Sequence, residues 1–119
     1  MHQHETTSTE HATNQMLDDM VQLIVSEIEP QQIVLFGSMA RGDAGPDSDV
    51  DLLIVEAQPF DKQHGRRREL ARLWRLLSRF PVSKDIVLYS RAEVDRWRNS
   101  TNHLIARALR EGKVLYERR

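Results

Sequence analysis

Ile33-Val-Leu-Phe-Gly-Ser-Met-Ala-Arg-Gly-Asp-Ala-Gly-Pro-Asp-Ser-Asp-Val-Asp-Leu-Leu-Ile-Val55 is the stretch on which the reading of this chain turns. It runs from one strand-like segment, Ile33–Phe36, through a turn-forming loop and into a second, Asp49–Val55. Side chains alternate along a strand, so Asp49 and Asp51 point to the same face. Side by side at the head of an apolar strand, the two charges repel and lose hydration unless a cation lies between them. A hard divalent ion such as Mg²⁺ fits, because it takes carboxylate oxygens and keeps positions open for phosphate. Gly37-Ser38, just upstream, supplies close backbone approach, a hydroxyl and free N–H groups suited to a phosphate. Metal and phosphate chemistry thus meet in one motif.

The surrounding composition sets bounds. The chain has 119 residues, the size of one domain, and a formal net charge of −1. That balance gives no basic field for nucleic acid or a membrane surface, so nucleic acid is not expected as a direct substrate. Without cysteine, disulfides, thiolate metal sites and a cysteine nucleophile are excluded. No apolar run approaches the ~20 residues of a membrane span. The N-terminus lacks the basic and apolar regions of a signal peptide, and a cytoplasmic protein is expected.

Residues 1–14 are polar and rich in Thr, His and Glu, and read as a disordered tail preceding a domain over 15–119. His2, His4 and His11 read as part of that solvated tail rather than as a metal tract. Helical spacing of Met16, Leu17, Met20, Val21, Ile24 and Ile28 predicts an amphipathic helix from Gln15 to about Glu29, ended by Pro30. A short helical turn with Ser38 as N-cap should follow the first strand, and Asp43–Ser48 reads as a flexible loop. A second long helix is expected over Arg66–Arg79, a third strand over Ser83–Tyr89, and a helix entered through Ser90 with Glu93 as a capping box. A last helix carrying Leu104, Ile105, Ala108 and Leu109, with Gly112 as its C′ residue, leads into a strand at Val114–Tyr116. Strands alternating with helices imply an α/β sandwich around a small sheet. Trp74 and Trp97 read as core residues, and neither His64 nor His103 has a nameable partner.

Asp85 opens the apolar run Ile86–Leu88 as Asp49 opens Leu52–Val55. Alone it reads more readily as a solvated strand-end charge than as a site residue; beside Asp49 and Asp51 it completes a metal cage. Two ions about 3.5–4 Å apart would then divide the work. One would hold a triphosphate through Asp49 and Asp51. The other, bridged by all three carboxylates, would activate an acceptor hydroxyl for in-line attack, with pyrophosphate leaving. No His or Cys lies at ligand spacing within the motif, which favours Mg²⁺ over zinc or iron.

The pattern Leu35-Phe36-Gly37-Ser38, then Asp49-Val50-Asp51-Leu52, then a later strand Asp resembles the DNA polymerase beta-like nucleotidyltransferase superfamily. Gly37-Ser-Met-Ala-Arg-Gly42, Ser48-Asp-Val-Asp-Leu-Leu53 and the ending Leu109–Tyr116 are similar to its smallest branch, the minimal nucleotidyltransferases. The resemblance covers about Gln15–Tyr116. It implies a single-domain α/β (α+β) fold with a small mixed sheet flanked by helices. It implies Asp49, Asp51 and Asp85 as catalytic metal ligands, and Gly37 and Ser38 at the nucleotide phosphates. Arg41 resembles a phosphate-contacting Arg, though a solvated loop charge fits it equally. Lys84 departs from the usual apolar residue before the third Asp, and should point away from the metals. Members of this branch are often encoded beside a HEPN-domain toxin. The resemblance therefore implies an antitoxin that uses ATP and Mg²⁺ to transfer AMP onto a tyrosine of that partner.

Related enzymes acting on aminoglycosides or tRNA carry a further domain that holds the acceptor, and none is expected here. The acceptor should then be held by another chain or by a dimer interface, with a protein partner favoured. Arg68, Arg72, Arg75 and Arg79 line one helix face, which reads more readily as an ordinary solvated face than as a docking strip for an acidic partner or RNA. Two other functions remain open: an antitoxin acting by occlusion, and the catalytic subunit of a two-component antibiotic-modifying enzyme.

Overall fold

Leu52-Leu-Ile-Val55 is buried on both sides of the backbone, and the architecture follows from that demand. A strand with a continuous apolar run needs cover on both faces of its sheet. The computed structural model of the protein describes residues 3–42 and 49–118. In chain order the elements are α1 (Gln3–Ile28), β1 (Gln32–Phe36), α2 (Gly37–Arg41), β2 (Val50–Glu56), α3 (Arg66–Leu77), β3 (Lys84–Ser90), α4 (Arg91–Trp97), α5 (Leu104–Glu111) and β4 (Lys113–Glu117). The strands form one mixed sheet in the order β3-β2-β1-β4, with β2 parallel to β3 and β1 antiparallel to both β2 and β4.

Alternation divides the core in two. Ile33, Leu35, Leu52, Ile54, Ile86 and Leu88 face α1 and α3, meeting Met20, Ile24, Leu73 and Leu77. Val34, Leu53 and Val55 face the other way, toward Val94 of α4 and Ile105 and Ala108 of α5, with Val87 and Tyr89 packed beside them. The expected sandwich is therefore a three-layer one, with helices on both faces. Among the described residues, no helix is long and apolar enough to cross a membrane.

Several local expectations change. α1 begins at Gln3, inside the stretch read as a polar tail, and among its described side chains the buried ones begin at Leu17. Once a helix is anchored, each added residue gains a hydrogen bond, so a polar extension can continue it. His2 and the Asp43–Ser48 loop lie outside the described residues, as do the side chains of His4 and His11. Ser38 is not a cap: α2 starts one residue earlier, after an extended Phe36, with no side-chain cap. Ser90 and Glu93 do form the reciprocal capping box. Gly112 follows α5 as expected, but with an extended backbone rather than a left-handed one. Its lack of a side chain answers to packing, because a Cβ would overlap the Ala108 carbonyl and lie 2.6 Å from the Leu35 carbonyl and 2.7 Å from Val34 Cγ1.

The tryptophans are not core. Trp74 is 38 % exposed and Trp97 37 %. Trp97 stacks on His103 at 4.6 Å, and His103 caps α5 by accepting the Ile105 N–H at 3.1 Å. The arginine strip is partly committed: Arg72 pairs with Glu27 of α1 at 3.2 Å. Arg66, ahead of the strip, pairs with Glu93 and packs over Phe60.

Candidate active site

The corner where β1 ends and β2 begins gathers the carboxylates. The antiparallel register sets Phe36 opposite Asp51, so the chain leaves β1 at Gly37 directly beside that aspartate. On its other side, the parallel register sets Asp51 opposite Asp85. Residues paired across neighbouring strands share a face and lie one strand spacing apart, about 4.8 Å. Both carboxylates are on the face covered by α4 and α5, since they alternate with Leu52 and Ile86 of the opposite layer. Asp49 lies one residue before β2 and is exposed, and the Val50 N–H bonded to the Ser83 carbonyl at 2.9 Å fixes where the strand starts.

Gly37 is the residue this corner cannot vary. Its φ of 75° lies in the left-handed region, and a Cβ there would overlap Asp51 Oδ2. The Asp51 carboxylate is thus seated over the glycine, at the start of α2. Ser38 is the second residue of α2, in a first turn whose N–H groups have no intrahelical acceptor. Arg41 closes the same short helix, with Nη1 4.0 Å from Glu111 Oε1 on α5.

Electrostatics ties these residues into one group. Burial raises the Asp51 carboxyl above its ordinary value, and the charges of Asp85 and Asp49 raise it further, while Arg41 opposes them. Asp85 and Asp49 therefore both act on Asp51, and the arginine is near enough to be felt there. An all-oxygen donor set with surplus negative charge suits a hard divalent cation, and Mg²⁺ fits it. Lys84 does not intrude: its Nζ donates to the carbonyls of Phe80 at 3.1 Å and Val82 at 3.0 Å. The structure thus brings together Gly37, Ser38, Arg41, Asp49, Asp51 and Asp85. It adds Glu111, which steadies Arg41 from a helix whose docking no local spacing reveals.

The chain is similar to several known proteins. Residues 17–115 match the nucleotidyltransferase domain family. A Methanocaldococcus jannaschii protein described as a protein adenylyltransferase is 34 % identical over 86 residues, covering 72 % of this chain and 78 % of the relative. A crystal structure of a Sulfolobus solfataricus protein described as a nucleotidyltransferase aligns over 94 % of this chain and 86 % of its own, with TM-score 0.61 and 20 % identity, a likeness of fold. A toxin–antitoxin complex crystallised with AMP-PNP aligns over 86 % of this chain and 73 % of its matching chain, with TM-score 0.58 and 26 % identity.

Proposed function

The chain belongs to the nucleotidyltransferase domain family, and from that premise we propose that it is an antitoxin of the minimal branch, transferring AMP from ATP to a tyrosine hydroxyl of a cognate HEPN-type toxin. The observation that carries this reading is the register of Asp51 beside Asp85 with Gly37 beneath its carboxylate. The M. jannaschii relative described as a protein adenylyltransferase supports a protein acceptor, and the nucleotide-bound toxin–antitoxin complex supports a partner chain.

In this reading Asp49, Asp51 and Asp85 hold Mg²⁺, two ions in the fullest form of the site. A metal held by these three carboxylates would supply charge neutralisation at the phosphates and a lowered pKa for the acceptor hydroxyl. The chain's own residues do the rest. Gly37 lets the backbone approach the phosphates without a clash, and Ser38 offers a hydroxyl and N–H. Arg41, held beside the site by Glu111, faces the negative charge that grows as the leaving group departs. The acceptor oxygen attacks the α-phosphorus, the bond from that phosphorus to the β-phosphate's bridging oxygen breaks, and pyrophosphate leaves. Asp85, exposed at the edge of the group, receives the hydroxyl proton. The partner surface positions its own tyrosine, which supplies the proximity this chain would otherwise need to build.

Incubation with ATP, Mg²⁺ and the protein encoded beside it tests the proposal by intact mass. The partner should gain one or more adenylate units, and Asp49→Asn should abolish the gain. An Asp49→Asn chain that neutralises its partner as well as wild type would instead establish occlusion.

A further inference from the structure

At the far end of β2 from the aspartates, a second cluster of ligating groups has no role in nucleotidyl transfer. Glu56 ends the strand and is only 6 % exposed. Burying a carboxylate without partners is costly, yet its Oε2 has no hydrogen-bond partner. His64 Nε2 stands 2.9 Å from Glu56 Oε1, and it too lacks the alignment of a hydrogen bond. Glu69, in the first turn of α3, completes the group: one ligand atom from each of the three lies within 4.8 Å of the others. We propose that Glu56, His64 and Glu69 form a transition-metal site, taking Zn²⁺ in preference to Mg²⁺, that locks the β2–α3 connection onto the sheet.

The geometry is close to that of a loaded site. Zn²⁺ bonds to imidazole nitrogen and carboxylate oxygen run about 2.0–2.2 Å, so ligand atoms sharing one ion lie roughly 2.9–4.2 Å apart. The His64–Glu56 separation already falls in that range, and a Glu69 oxygen lies within 4.8 Å of both. The imidazole is placed by its own loop. Asp61 Oδ1 accepts the N–H groups of Gln63 at 2.9 Å and His64 at 2.7 Å, the Asp61 N–H returns to the His64 carbonyl at 2.8 Å, and Phe60 stacks on the ring at 5.1 Å. These contacts fix the loop backbone and the plane of the ring.

The donor set selects the ion. One imidazole and two carboxylates suit zinc and its transition-metal neighbours, whereas Mg²⁺ prefers oxygen alone. A cavity of about 340 Å³ lined by these three residues with Glu27, Arg72 and Arg118 gives an entry path and room for water to complete the coordination. Arg72 lies 3.9 Å from Glu69 and 3.2 Å from Glu27, and its charge only partly offsets the burial of Glu56. Five residues of extended strand, roughly 17 Å, separate Glu56 from Asp51, so the two sites load independently.

Calorimetric titration of the full chain with Zn²⁺ and with Mg²⁺, in a background where His2, His4 and His11 are changed to Gln, tests the proposal. One equivalent of Zn²⁺ should bind and raise the melting temperature, with Mg²⁺ unable to displace it. His64→Gln, at a partly exposed position, and Glu69→Gln should each weaken Zn²⁺ binding by at least about 100-fold while keeping the circular dichroism spectrum. Asp49→Asn with Asp51→Asn should leave it unchanged. Zn²⁺ uptake that survives both His64→Gln and Glu69→Gln, or that vanishes only with the aspartate changes, overturns the site. So does the absence of uptake, which would leave Glu56 and Glu69 sharing a proton instead.

Discussion

Asp51 shows most clearly what the sequence could and could not reveal. Its pairing with Asp49 was readable because the two-residue period of a strand places both on one face. Its neighbours across the sheet were not, because register depends on which strands pair; only the structure sets Phe36 on one side and Asp85 on the other. The same limit hid Glu56, His64 and Glu69, whose meeting depends on how α3 docks against the end of β2. Asp51 also carries a testable conflict between stability and function. Burial and two like charges disfavour its ionised form, so removing that charge relieves repulsion in the metal-free chain. Asp51→Asn should therefore melt at the same temperature as wild type or higher in chelator at neutral pH, while losing transfer activity by about 10³-fold or more, in line with the strain that active sites hold. A variant that melts clearly lower would show that the carboxylate stabilises the fold.

At the scale of elements, hydrophobic periodicity found every strand to within a residue or two, because each alternates or runs apolar against a helix. Ends were less legible. α2 opens at Gly37 without a side-chain cap, and α1 reaches back to Gln3, neither of which a propensity argument selects. Gly112 was read as a helix terminator, and its role proves to be the close passage of α5 over β1. Gly112→Ala should cost about 1–3 kcal/mol, since the added methyl meets backbone oxygens rather than a flexible side chain. Chemical denaturation would measure it, and an unchanged midpoint would mean that α5 can shift freely against β1.

For the molecule as a whole, two raised carboxyls set the direction of pH dependence. Burial, with Glu69 beside it, pushes Glu56 up from 4.5 to about 8, against the pull of Arg72. Asp51 is raised as well. A folded state that holds protons the unfolded chain releases is stabilised at low pH, so Glu56 loses its contribution as pH rises from about 4.5 through about 8, and Asp51 loses its own as pH rises above 3.8. Glu93 works in the opposite sense at the acid end. Burial pushes its carboxyl upward, but Arg66 and Ser90 together hold it below 4.5, a contribution lost as pH falls through its folded value. In chelator, unfolding free energy should decline between pH 5 and 8, and Glu56→Gln should flatten that decline; a wild-type profile that rises over the same range contradicts the assignment.

The central claim is that one corner of this molecule, built by Gly37, Asp49, Asp51 and Asp85, moves a nucleotidyl group to a partner. Parallel reactions with ATP labelled at the α- or the γ-phosphate, in the presence of Mg²⁺ and the partner, test it most directly. The α-label should become covalently attached to the partner, the γ-label should appear only in pyrophosphate, and both signals should vanish with Asp51→Asn. Transfer of the γ-label, or transfer of the α-label that persists in Asp51→Asn, would contradict it.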